Sequence, residues 1–148
     1  MSDAAVLEPQ NELFRSDWSA DWALVQAKIA PGTSPGRGRG LFAMAPIAAG
    51  EVIERVCTIP LTSVQCDALE GILPLGDYYF RHPVNDEEGL LLLGLVSLAN
   101  HSDAPNAAVR FVYSEAIGWV AELVALHSLA PGAEVTHRYR CPPWFQVA

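Results

Sequence analysis

Glycine and proline interrupt this chain every few residues, eleven of each in 148, and the stretches between them are short and apolar. Such spacing implies short strands and many turns. The run from Trp22 to Ala30 alternates as a strand, with Lys28 pointing outward and Pro31-Gly32 as its stop. A glycine-rich turn, Gly36-Arg37-Gly38-Arg39-Gly40, leads into a strand over Leu41 to Ala45. Pro46 to Gly50 then turns the chain into the β-prone stretch Glu51 to Val56. Thr62 or Ser63 caps a short helix through about Leu69, closed by Gly71 and Pro74. Further strands are expected at Ala107 to Tyr113, Trp119 to Ala125 and Val135 to Tyr139. The whole reads as mostly β with few short helices. A polar lead-in over residues 1–16, expected to be flexible, precedes one domain over residues 17–148.

Charge narrows the function. Seventeen acidic residues against nine basic ones give a net charge of −8, so no positive field exists to hold a phosphate backbone, and direct nucleic-acid binding is not expected. An acidic surface suits a basic protein or peptide partner, and equally suits simple solubility. Cys57, Cys66 and Cys141 form no close pair, which points to reduced thiols in a cytoplasm rather than to disulfides or zinc. The longest apolar stretch, Leu90 to Ala99, is well short of the ~20 residues of a membrane-spanning helix and reads as a buried element.

Four local features could carry chemistry. In Gly36 to Gly40 the glycines let backbone amides approach a ligand closely, though a glycine-rich turn is often only a turn, and no dinucleotide-type helix follows it. Asn100-His101-Ser102-Asp103, with Pro105-Asn106, is a polar knot held against the apolar run. Its neighbouring letters cannot form a Ser–His–Asp triad, and His82, His101, His127 and His137 lack metal-ligand spacing, so no metal is expected. A loop satisfying its own backbone is the plain alternative. Tyr139 closes a strand that follows Gly132 and Glu134, a position that serves core packing as readily as catalysis. Finally, Cys141-Pro-Pro-Trp144-Phe145 presents two large rings that either dock on the body or stack on a flat ligand.

Taken in order, Ser34 to Ala43, Ile47 to Ile53, Asn100-His101-Ser102 with Pro105-Asn106, and Leu129 to Glu134 with Tyr139 resemble the SET-domain family of protein lysine methyltransferases. The resemblance spans about residues 22 to 145. It implies a SET-type β-clip fold of small curved sheets, with a C-terminal pseudoknot that brings Asn100 and Tyr139 together. It implies S-adenosylmethionine as cofactor, lined by Arg37, Gly38, Arg39 and Gly40, bound by Asn100 and His101, and covered by Trp144. Tyr139 looks like the family's active-site tyrosine, and Tyr78, Tyr79, Phe80 and His137 are candidates for a lysine channel.

The chemistry so implied suits these residue types. Presenting a neutral lysine amine at pH 7 costs about 4–5 kcal/mol, which an apolar channel beside a sulfonium cation reduces. Positioning of amine, methyl and sulfur then supplies much of the acceleration. Two departures stand out. Glu54-Arg55-Val56 lacks the tyrosine that many members carry after the acidic residue, and His137 stands where the family commonly has Phe or Tyr and where the number of added methyl groups is often set. These departures motivate the alternative of a SET-like protein-interaction module with weak or no turnover.

Overall fold

The computed structural model describes Trp22, residues 25–72 and residues 74–139. The lead-in over residues 1–16 and the C-terminal Cys141, Trp144 and Phe145 lie outside the described residues.

Strands β1 (Ile29–Ser34) and β2 (Gly38–Ala43) form an antiparallel hairpin. Its turn needs glycine at Gly36 and Gly38, both at φ +75°, a region that side chains disfavour. The expected stop at Pro31-Gly32 is corrected: β1 runs through both residues. It is the outermost strand of its sheet, where a proline without an N–H is tolerated. Gly32 also leaves room for the Phe42 ring, which a Cβ there would meet at 2.8 Å.

The second sheet holds β3 (Val52–Leu61), β4 (Tyr79–Arg81), β5 (Gly89–Leu92), β7 (Ala107–Ser114) and β8 (Gly118–Ala125), in the order β4-β5-β3-β8-β7. Between β3 and β4 lies the helix α1 (Ser63–Glu70). Of the two expected caps, Thr62 serves, in a reciprocal capping box with Gln65 that the structure adds, and Gly71 ends the helix as expected. The apolar run Leu90 to Ala99 is not one buried element. β5 ends at Leu92, Leu93 is 53% exposed, and a 3-10 turn over Leu95–Leu98 follows. The turn forms because Glu54 reaches over from β3 to accept the N–H groups of Leu95 and Val96.

Two short strands complete the first sheet: β6 (Asn100–His101) and β9 (Glu134–His137). β9 lies between β2, antiparallel to it, and β6, parallel to it, so the C-terminal stretch passes between two segments formed much earlier in the chain. Leu41 and Val135 face each other across this join, both fully buried, each contributing about 1.5–3 kcal/mol of burial energy. Asn106 adds a polar clamp. Its side-chain amide donates to the Glu134 carbonyl at 2.8 Å and accepts the Thr136 N–H at 2.9 Å, pairing main-chain groups of β9 through a side chain.

Candidate active site

The crossing of β9 between β2 and β6 gathers polar side chains at one point. The Glu134 carboxylate accepts Ser34 Oγ–H at 2.8 Å, Arg37 Nη2–H at 3.1 Å and Asn100 Nδ2–H at 2.9 Å. Asn100 spends its other amide hydrogen on the Arg39 carbonyl at 3.1 Å. Arg37 spans the gap, donating from Nη1 to the His101 carbonyl at 2.8 Å. Gly40 sits against this node, where a Cβ would lie 2.7 Å from Glu134 Oε2 and 3.1 Å from Asn100 Nδ2. The requirement for glycine there is therefore one of space.

Two polar groups at this node are left over among the described residues. Arg37 Nε is buried without a hydrogen-bond partner, and Asn100 Oδ1 accepts no protein hydrogen bond. A buried donor with no acceptor carries a desolvation cost of roughly 1–3 kcal/mol until something meets it.

Beside the node stands a row of rings. Phe80 meets Phe111 edge-on at 6.4 Å and stacks on His137 at 5.5 Å, His137 lies 5.1 Å from Tyr139, and Tyr139 lies 5.1 Å from His101. His101 is 2% exposed, and both its nitrogens are used. Nδ1 accepts the Tyr139 N–H at 2.8 Å, which leaves the proton on Nε2 to be donated to Asp103 Oδ1 at 2.8 Å. Any ligand contact from His101 would therefore come from its main chain. The Tyr139 hydroxyl donates to the Ala99 carbonyl at 3.2 Å. Burial pushes its pKa up to about 12; the Arg37 cation opposes the rise, and Tyr78 and Asp77 add to it. At neutral pH it is a protonated phenol.

The structure thus brings together Arg37, Gly38, Arg39, Gly40, Asn100, His101, His137 and Tyr139. Of the four candidates for a channel, Phe80 and His137 stack on each other within the row, and the Tyr78 hydroxyl accepts from Arg39 Nη2 at 3.5 Å. Tyr79 does not belong with them. Successive side chains of β4 point to opposite faces, and the Tyr79 hydroxyl donates to Glu70 of α1 at 2.5 Å on the far side, where burial raises its pKa. Trp144 lies outside the described residues. Glu134, Ser34 and Asn106 carry the node and its clamp although none of them is among the site residues expected from the sequence. The signals in the sequence are Glu134, one residue past the Pro131-Gly132 turn and before the β-branched pair Val135-Thr136, and Asn106 within the polar knot. Among the described residues, no group of three or more His, Cys, Asp or Glu is arranged to hold a metal ion, and no helix is long and apolar enough to cross a membrane.

The sequence pattern of the SET domain matches residues 38–140, the stretch that contains the node and the ring row. The chain belongs to the SET-domain family. Its mostly β architecture of curled sheets is the SET-domain fold. Among solved structures, this SET domain is similar to a candidate histone methyltransferase of Plasmodium falciparum, at 28% identity and a TM-score of 0.61, covering 81% of this chain and 98% of that one. It also shares its fold with Polycomb repressive complex 2 of Chaetomium thermophilum bound to GSK126, at 22% identity and a TM-score of 0.64. A ctPRC2 structure in an autoinhibited conformation bound to S-adenosylmethionine gives 21% identity and a TM-score of 0.64. The SET domain covers 78% of its own length in both comparisons, but only 16% and 15% of those much longer chains. No curated protein sequence is significantly similar to it.

Proposed function

We propose that this SET domain is a protein-lysine N-methyltransferase that uses S-adenosylmethionine and acts on a basic protein or peptide. The observation that carries the reading is the Tyr139 phenol, kept protonated and hydrogen-bonded to Ala99 O, set between the His137 and His101 rings and beside the Arg37–Asn100–Glu134 node. Family membership supports the reaction class.

The node fits the amino-acid end of the cofactor. That end carries one carboxylate and one ammonium, and the node has one unmet donor, Arg37 Nε, and one unmet acceptor, Asn100 Oδ1. Gly38 and Gly40, two apart on β2, leave one face of the strand there without side chains. When bound, the cofactor would supply an electrophilic methyl group on a sulfonium.

The remaining work falls to the chain's own residues. Phe80 and His137, stacked and buried beside Tyr139, keep that side of the phenol dry, and apolar surroundings disfavour an ammonium and help an arriving lysine to lose its proton. Tyr139, its hydroxyl directed by the bond to the Ala99 carbonyl, is the residue we assign to orient the amine, and weak C–H···O contacts can steer the methyl group. Positioning of this kind, without covalent help from the protein, suits an in-line displacement. The net charge of −8 favours a basic substrate.

The test has two steps: titration of S-adenosylmethionine against tryptophan fluorescence, then transfer of radiolabelled methyl onto a histone or ribosomal protein mixture. Micromolar binding and labelled lysine are expected. Binding without transfer would favour the interaction-module reading, to which His137 lends support because it fills a position where the family commonly has Phe or Tyr. Absence of binding would sink both the cofactor assignment and the reaction.

A further inference from the structure

Glu54 lies in β3, apart from the node, yet its carboxylate is tied to the site through the main chain. Oε2 accepts the Leu95 N–H at 3.0 Å and Oε1 accepts the Val96 N–H at 2.8 Å. These N–H groups open the 3-10 turn over Leu95–Leu98 and have no partner within it. Gly94, just before the turn, is pressed against the same strand: a Cβ there would meet Val56 Cγ1 at 2.3 Å and Glu54 Oε1 at 3.0 Å. At the other end of the turn, the Ala99 N–H returns to the Val96 carbonyl at 3.1 Å, and the Ala99 carbonyl takes the Tyr139 phenol at 3.2 Å. Carboxylate, turn, carbonyl and phenol are thus joined by hydrogen bonds in series, and the next residue is Asn100.

We propose that Glu54 is a positioning residue for the Tyr139 phenol, pinning the start of the 95–98 turn and so fixing where the Ala99 carbonyl and Asn100 stand. Burial holds its carboxyl above the usual carboxylate range even though two N–H groups favour the charged form. A solubilising or merely surface role does not call for an acid in so costly a place. The effect on turnover rests on the reading of Tyr139 given above, whereas the effect on the phenol itself does not.

The experiment compares wild type, Glu54→Gln and Glu54→Ala, each with tyrosine labelled at the ring carbon bearing the hydroxyl, by carbon NMR up to pH 11. Tyr139→Phe assigns the resonance. In the wild type the Tyr139 phenol, its pKa pushed up by burial to about 12, should stay mostly protonated at pH 11. In Glu54→Ala it should be at least half ionised, and Glu54→Gln, which keeps one acceptor oxygen, should fall between. Methyl transfer should drop in the same order, at least tenfold for Ala. A folded variant with lower thermal stability but an unshifted Tyr139 resonance would reduce Glu54 to a structural cap and overturn the proposal. If Glu54→Ala does not fold, the isosteric Gln variant decides by the same criterion. If wild type transfers no methyl group, the proposed reaction fails while the phenol titration still decides the role of Glu54.

Discussion

His101 Nδ1 accepts the main-chain N–H of Tyr139 at 2.8 Å, so the buried ring of β6 fixes where the chain bearing the phenol leaves β9. His101→Ala would strand that N–H and open a cavity. A loss of about 2 kcal/mol in urea unfolding is expected, given the roughly 1–3 kcal/mol cost of an unmet buried polar group. Unchanged stability would show that the ring does not hold the chain.

Tyr139→Phe removes the hydroxyl and little else. Cofactor affinity, read from tryptophan fluorescence, should stay within about twofold, while methyl transfer falls at least tenfold, equivalent to about 1.4 kcal/mol in the barrier. Equal transfer by both proteins would mean that Tyr139 only packs.

The pH dependence of stability has a definite sign for this phenol. Its folded pKa, pushed up to about 12, lies above the ordinary value of 10. The neutral form is therefore favoured by folding. Its contribution is fully present below pH 10 and is lost as the pH rises toward 12. Alkaline unfolding of wild type and Tyr139→Phe should converge in that window, and parallel curves would contradict the assigned burial.

Gly40→Ala places a methyl group 2.7 Å from Glu134 Oε2 and 3.1 Å from Asn100 Nδ2. One of the two side chains must move. Cofactor affinity is expected to fall at least tenfold, with a smaller change in melting temperature, and intact affinity in the fluorescence titration would remove Gly40 from the site.

On the outer face of the five-stranded sheet, Glu122 is 3% exposed and pairs with Arg55 Nη2 and Arg110 Nη2, each at 2.6 Å. Glu122→Ala leaves two guanidinium groups without their shared anion. Breaking such a buried pair costs about 3–5 kcal/mol. Denaturant unfolding should register the low end of that range, because the Arg110 side chain is 30% exposed and water can recover part of the loss.

Elements defined by local patterns were legible in the sequence. The helix start at Thr62 or Ser63 and the strands at β7 and β8 follow from side chains a few residues apart. The order of strands does not, since β2 and β3 are adjacent in the chain yet belong to different sheets. Pro31-Gly32 misleads because whether a proline ends a strand depends on having a neighbour on that side, which is a tertiary fact. Tyr78, Tyr79 and Phe80 read as one cluster, but the alternation of β4 sends Tyr79 to α1 and Phe80 to His137. The node at Glu134 was the least visible part. Ser34 is 100 positions from Glu134, and only a motif seen as a whole joins them.

The placement of β9 between two much earlier strands has a consequence for synthesis. A nascent polypeptide that has not yet released residues 134–139 from the ribosome has neither the carboxylate hub nor the phenol, and its hairpin and asparagine loop have nothing to clasp. The site therefore assembles all at once, when residues 134–139 emerge, and products truncated before them cannot retain a fraction of it.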